Sequence, residues 1–435
     1  MTAHIARWSL MLLAVFLLAV WLPLAKELLF GYRYGKTDLF YSPVIERFVY
    51  TELLGDGHQF IYRDDAGNDY TREAFEALIP FIYYKNMEIW GRLPLLIQGQ
   101  SFDKAAIQAE RLVLQLDPDE LPGHTPRIGL YPLLESNPGR ARLSFPEDIM
   151  RPGAALTFIG SDANRVDPAL TLTFTAALRE AGFAFPVRAT FGRVSILKAF
   201  DAGYFLVDAD GGLFHLKRVD GAPAVARVAL PEGVAVRHVK VAENRRGEHL
   251  GLLLATDGRL FLLGKQDYVL TPLPLPGYDP DRMEVKILFN PLQRTAVYSD
   301  HREIRAVAMD RDFRPIAEYG REMAMARPRP VDRVWSALLP FELVLSDPNS
   351  RYLRLDLRLH GRSAAIGIAV ALLAALLLLR RRGLSWLALL PSLVFVAVTG
   401  LYGLLALLLF PPERALGVEP EPAHARALSP APAGD

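Results

Sequence analysis

The order of apolar and polar positions divides the chain before any composition is counted. From Trp8 to Ala25 eighteen successive residues carry no charge, and after Lys26 and Glu27 the chain resumes as Leu28, Leu29 and Phe30. A hydrocarbon core of about 30 Å takes roughly twenty helical residues, so residues 1–30 are predicted to be a transmembrane anchor with Lys26 snorkelling at its end. The competing reading is a cleaved signal peptide. Its apolar core would span only roughly 7–15 residues, and Lys26 to Gly31 offers no small-x-small cleavage pattern, so an uncleaved anchor is expected. Near the other end, Ser363–Leu379 gives seventeen uncharged residues and Leu384–Phe410 twenty-seven, parted by Arg380, Arg381, Arg382 and Gly383. Two spans joined so tightly read as a transmembrane helical hairpin over 363–410. Its arginine tip belongs in the cytoplasm by the positive-inside rule, and Arg7 agrees. The expected topology is a cytoplasmic amino terminus, a large extracytoplasmic domain, and a disordered Pro-rich tail over 411–435 outside.

Between the spans the patterning changes twice. Residues 31–192 read as an α+β region. Glu46–Thr51 and Gln59–Tyr62 are predicted strands around a Gly55-Asp56-Gly57 turn, and Thr71–Trp90 a helix kinked at Pro80. A second helix is predicted from Phe102, capped by Ser101, to Leu116. Arg127–Leu134, Arg142–Phe145, Leu156–Ile159 and Leu170–Phe174 read as strands, and Leu170–Ala181, closed by Gly182, equally as a helix. Residues 193–330 repeat. Leu206-Val207-Asp208-Ala209-Asp210-Gly211-Gly212-Leu213-Phe214 returns 47 positions on as Leu253-Leu254-Ala255-Thr256-Asp257-Gly258-Arg259-Leu260-Phe261, and more loosely, another 43 on, at Val297–Arg302. Asp-Gly between β-rich arms signals a hairpin, and periods of roughly 40–50 residues suit propeller blades. Three blade-like units are expected, with any missing blades drawn from 127–190, from Val331–Leu359, or from neither, which leaves an open or stacked sheet. Residues 331–362 read as returning strands and linker, the Arg327-Pro328-Arg329-Pro330 run being extended. The fold class expected is membrane-anchored and mainly β, with an α+β amino-terminal part, propeller-like repeats and three transmembrane helices.

Composition narrows the chemistry. Forty-nine basic against forty-eight acidic residues leave a net charge of +1, too little basic field for nucleic acid to be a partner. With no cysteine there is no disulfide, thiolate metal site or cysteine nucleophile. The metalloprotease, esterase, Walker A and dinucleotide signatures are absent from the sequence. His215 reads as a structural histidine; a metal site would need it to meet His238, His249 or His301. Asp208-x-Asp210-Gly211 and Asp162-x-Asn164-x-x-Asp167 read as Asx-stabilised turns ahead of calcium sites, and Glu135–Gly139 as a loop ahead of a nucleophile turn. No catalytic residue, metal or cofactor is assigned. The residues singled out are Ser363, Gly367, Ala371 and Ala375, a four-residue stripe of small side chains for close helix packing, against the third span or a partner.

The run Leu130-Tyr131-Pro132-Leu133-Leu134-Glu135-Ser136, then Phe145-Pro146, Gly182-Phe183 with Phe185-Pro186, and Gly203-Tyr204-Phe205 followed by Leu213-Phe214-His215-Leu216-Lys217, resembles an uncharacterised bacterial family of membrane-anchored proteins of unknown function. The resemblance covers roughly residues 40–320. It implies gene neighbourhoods with ABC-type transporters and carries no catalytic motif. The expected role is a non-enzymatic accessory or assembly subunit of a bacterial inner-membrane complex, an ABC-type exporter or permease. The alternatives are an extracytoplasmic sensor or ligand-binding module and, third, a hydrolase.

Overall fold

The computed structural model describes residues 2–30, 36–53, 59–140, 143–244, 247–382 and 386–412. They fall into two units, one of residues 33–327 with 347–353, the other of residues 1–32, 328–346 and 354–435. The expected Gly55-Asp56-Gly57 turn, the strand start at Arg142, the hairpin tip at Gly383 and the tail from residue 413 lie outside the described residues.

After the amino-terminal helix α1 (Thr2–Phe30), which belongs to the second unit, the first unit opens with an antiparallel sheet of β1 (Asp38–Ser42), β2 (Arg47–Leu53) and β3 (Phe60–Asp64). Two short helices follow, α2 (Arg72–Leu78) and α3 (Tyr84–Ile89), in place of one kinked helix. Pro80 lacks an N–H and pushes the residue before it out of helical geometry; Ile79 sits at φ −123°, ψ 57°. The hairpin β4 (Leu95–Ile97) and β5 (Gln100–Phe102) precedes α4 (Lys104–Glu110), whose cap is Asp103, accepting the Ala106 N–H at 2.7 Å, instead of Ser101. The predicted helix to Leu116 therefore stops at Glu110, and its remainder is strand β6 (Leu112–Leu116).

Residues 127–134 form no strand, only a bridge from Tyr131 to Met150. A three-stranded sheet of β7 (Asp148–Pro152), β8 (Leu156–Gly160) and β9 (Arg165–Asp167) leads into helix α5 (Pro168–Glu180). Of the two readings of Leu170–Ala181, helix holds. Asp167 caps it through the Leu170 N–H at 2.9 Å, Pro168 sits at its first position, and Gly182 follows at φ +85°.

The repeats then build three antiparallel meanders. The first is β10 (Ala189–Phe191), β11 (Tyr204–Val207), β12 (Leu213–Val219) and β13 (Ala222–Val228); the second is β14 (Val236–Val241), β15 (His249–Ala255), β16 (Leu260–Gly264) and β17 (Leu270–Pro272). The third is β18 (Glu284–Phe289), β19 (Arg294–Ser299), β20 (Glu303–Met309) and β21 (Pro315–Glu322), extended by β6 alongside β18. The copies superpose in register. Leu206 pairs with Phe214 as Leu253 pairs with Phe261. The Asp208 N–H donates to Gly212 O as Ala255 N–H donates to Arg259 O, with Gly211 and Gly258 at φ +86° and +88°. Asp210-Gly211 and Asp257-Gly258 thus occupy equivalent turns.

The central strands of the meanders are buried on both faces, which is why β11, β15 and β16 read as near-continuous apolar runs. Phe205, Leu213 and Val228 of the first sheet pack on Leu253, Phe261 and Leu263 of the second. Leu252, Leu254 and Leu260 of the second pack on Ile287, Ala296 and Val307 of the third. Leu213 and Leu260 therefore face the same way in successive layers. The outer face of the first sheet is covered by α5 and β8 through Phe174, Leu178 and Phe158, and that of the third by β1 and β2 through Leu39, Tyr41 and Phe48. This is a stack of sheets. Among the described residues it closes into neither a barrel nor a propeller, and the strands added to the 193–330 repeats are β6 beside β18 and β10 beside β11.

The second unit gathers the apolar helices. It comprises α1, helix α6 (Pro330–Leu338), the two-stranded β22 (Phe341–Ser346) and β23 (Leu353–Leu359, from Arg354 onward), and helices α7 (Ala365–Arg381), α8 (Trp386–Thr399) and α9 (Leu401–Leu409). Residues 331–362, read as returning strands and linker, hold β22 and β23 but begin with helix α6, started by Pro330 at its first position and by Asp332 reaching back to the Arg329 N–H. His4–Phe30 and Gly361–Arg381 are long and apolar enough to cross a membrane, and the first is compatible with an anchor or a signal sequence. The expected third span is broken. Gly400 lies at φ 58°, ψ −134°, and a Cβ there would come within 2.9 Å of Pro340 Cδ, so α8 and α9 are separate helices.

Candidate functional site

A groove of about 790 Å³ opens in the first unit where three edge strands come together. Gly192 and Arg193 just beyond β10, His238 to Val241 of β14, and Val113 to Gln115 of β6 line it. Alternate residues of a strand donate to opposite sides. The Ala242 N–H bonds Leu250 O, and β14 pairs with β15 as His238 with Leu254 and Lys240 with Leu252. The backbone groups of Val239 and Val241 therefore turn away from β15, toward the groove.

Its cations are matched within the chain. Lys240 pairs with Glu120, and Arg351 with Asp119 at 3.0 Å. Beneath the rim, Lys198 Nζ lies 2.8 Å from both Asp201 and Glu243, all three side chains at most 3% exposed. Lys198 also donates to Arg193 O at 2.9 Å, Asp201 accepts the Leu134 and Gly203 N–H groups, and Arg193 closes over Glu243 at 3.3 Å. The cluster holds the 192–203 loop between β10 and β11. Sequence reasoning missed it because its members come from a loop and from the residue pair past β14, with no spacing to connect them.

His238 stands edge-on to Phe191, ring centroids 5.3 Å apart, and its Nδ1 has no partner among the described residues. Burial, with Arg127 nearby, pushes its pKa down to about 3, so it is neutral. His215 is elsewhere. Its Nε2–H donates to Ala202 O at 2.7 Å and Nδ1 accepts from Tyr268 Oη at 3.0 Å, and burial lowers its pKa to about 4. His249 packs against Phe289. His215, His238 and His249 thus stand in different surroundings, and no group of three or more His, Asp or Glu poised to hold a metal ion is found among the described residues. Asp208 Oδ1 accepts the Asp210 and Gly212 N–H groups at 3.0 and 2.7 Å, and Asp167 is the cap of α5. Glu135 accepts the Asp220 and Gly221 N–H groups, both at 3.0 Å, tying its loop to the β12–β13 turn.

The small-residue stripe lies in the second unit. Ser363 Oγ donates to His360 O at 2.7 Å and Ser336 O at 3.1 Å. A Cβ on Gly367 would meet Leu338 O at 2.2 Å. Ala371 and Ala375 are fully buried in one core with Met11, Val15 and Ala19 of α1 and with Leu389, Val396 and Ala406 of α8 and α9. This face of α7 is occupied by helices of its own chain.

Stacked meanders with a polar groove along their edge strands, on a chain that also carries apolar helices, define a mainly β protein with candidate membrane segments. The chain belongs to the family described as Domain of unknown function (DUF4857), whose model matches residues 38–309. That match runs from β1 to the end of β20. A comparison with curated proteins gives no match.

Proposed function

We propose that the protein is a non-enzymatic accessory or assembly subunit of a bacterial inner-membrane complex, an ABC-type exporter or permease. The observation that supports this reading most is the groove: its cations, Arg193, Lys240 and Arg351, are each paired with a carboxylate instead of standing poised around a reacting centre. A surface of paired cations, free strand edges and apolar walls suits recognition of another polypeptide. The core shared by α1 with α7, α8 and α9 favours an anchor retained in the folded chain over a signal sequence that is removed. Three arginines at 380–382 argue for a cytoplasmic hairpin tip and a periplasmic body. A second reading, a sensor or ligand-binding module, draws on the unpartnered His238 Nδ1 in the groove.

Purification of the tagged full chain from mild detergent is the test. Co-elution of ATP-binding and permease subunits is expected, and Lys240→Glu, which sets a carboxylate against Glu120 on the rim, should release them. A chain that elutes alone and binds a small molecule makes it a sensor. Turnover by the isolated chain makes it an enzyme.

A further inference from the structure

Strand β23 carries an alternation whose apolar face no other described residue covers. Leu355, Leu357 and Leu359 are 52%, 58% and 72% exposed, and Asp356 and Arg358 stand between them on the other face. Among the described residues the sheet has two strands, and β22 is the inner one: Phe341 and Leu343 pack into the helical core with Tyr402 and α1. A two-stranded hairpin is marginal in water, and a row of exposed leucines on its outer strand would invite aggregation. The strand does not end in solvent. After His360 the single turn Gly361–Ala364 leads into α7, whose own outer residues, Val370 and Leu373 among them, are 57% and 59% exposed. The apolar row is thus continuous in sequence, across one turn, with the outer surface of a membrane-length helix.

From this we infer that the leucine face of β23 rests on the bilayer surface, at headgroup level, as a collar at the base of α7. The inference rests on the reading that α7 spans the membrane. Headgroup depth follows from the backbone: the outer edge of β23 has no partner strand among the described residues, and in hydrocarbon those N–H and C=O groups would go unsatisfied. At the interface water can serve the edge while leucine side chains enter the acyl boundary. Arg358, 3.8 Å from Glu342, and Asp356 remain on the wet face.

The absence of native cysteine makes the test direct. Single variants Leu355→Cys, Leu357→Cys, Leu359→Cys, Asp356→Cys and Arg358→Cys, with Leu373→Cys as the reference in α7, are labelled with a nitrobenzoxadiazole dye. Each full chain is reconstituted in phosphatidylcholine–phosphatidylglycerol vesicles. Labels at 355, 357 and 359 should be quenched several-fold more by a lipid bearing a shallow nitroxide than labels at 356 and 358, with aqueous iodide giving the reverse. If the label at 373 is lipid-quenched while 355, 357 and 359 respond only to iodide, the collar is wrong and the membrane reading stands. Shielding of 355, 357 and 359 from both quenchers means that protein covers the row, which also overturns the collar. Iodide quenching at 373 overturns the membrane reading and the collar with it.

Discussion

Lys198 is a lysine with almost no access to water, and two carboxylates hold its charge. Removing one member of such a group leaves the others uncompensated, at a cost of about 3–5 kcal/mol. Lys198→Met should therefore lower the denaturant midpoint strongly, and adding Asp201→Asn with Glu243→Gln should recover much of the loss, because the neutral set no longer needs a counter-charge. His215 makes a different prediction. Its ordinary value near 6.5 falls to about 4 on folding, so the unfolded chain binds the extra proton first as pH drops. Stability from this residue is complete above about pH 6.5 and is lost as pH falls toward 4, by about 3 kcal/mol at 1.36 kcal/mol per unit. Thermal unfolding across that window should show a shallower decline in His215→Gln.

At the scale of elements, β15 is bent by a bulge between His249 and Gly251. A Cβ at Gly251 would stand 1.8 Å from Lys240 O, whereas at Gly258, in the turn, the nearest atom is 3.9 Å away. Gly251→Ala should cost well over the ~1–3 kcal/mol of backbone strain alone, and Gly258→Ala roughly 1–2 kcal/mol, as read from chemical denaturation. The 47-residue step was legible because equivalent turns repeat a glycine at positive φ, Gly211 and Gly258, each after an aspartate, although the Asx bond is made by Asp208 in the first copy and by Asp257 in the second. Strand β6 was not. Its apolar positions continue the spacing of α4, and what decides for strand is pairing with β18, Leu114 opposite Ile287, more than 170 residues away by the numbering. The 192–203 loop cluster was hidden for the same reason, since ion pairs between a loop and a distant strand end leave no periodic trace. Helix α6 escaped notice because Arg-Pro-Arg-Pro reads as extended up to the very proline that starts it.

On the scale of the whole molecule, unbroken apolar runs are enough to mark the membrane-length helices, while the break at Gly400 depends on a packing neighbour, Pro340, that sequence order does not reveal. The topology prediction belongs here. Reporter fusions after Gly383 and after Gly434 should give opposite answers, cytoplasmic and periplasmic, because translocating Arg380, Arg381 and Arg382 is unfavourable. Equal answers would mean that the broken α8–α9 segment does not cross. The pairing of β6 with β18 also sets a timetable. In synthesis from the amino terminus, residues 112–116 emerge long before 284–289, so β6 must wait with an unsatisfied edge while the first two meanders assemble. The third meander is completed only when the newest segment finds one of the oldest. The stack consequently cannot be finished from its repeats in isolation, and the interval before that meeting is when the nascent chain has most need of a holding chaperone.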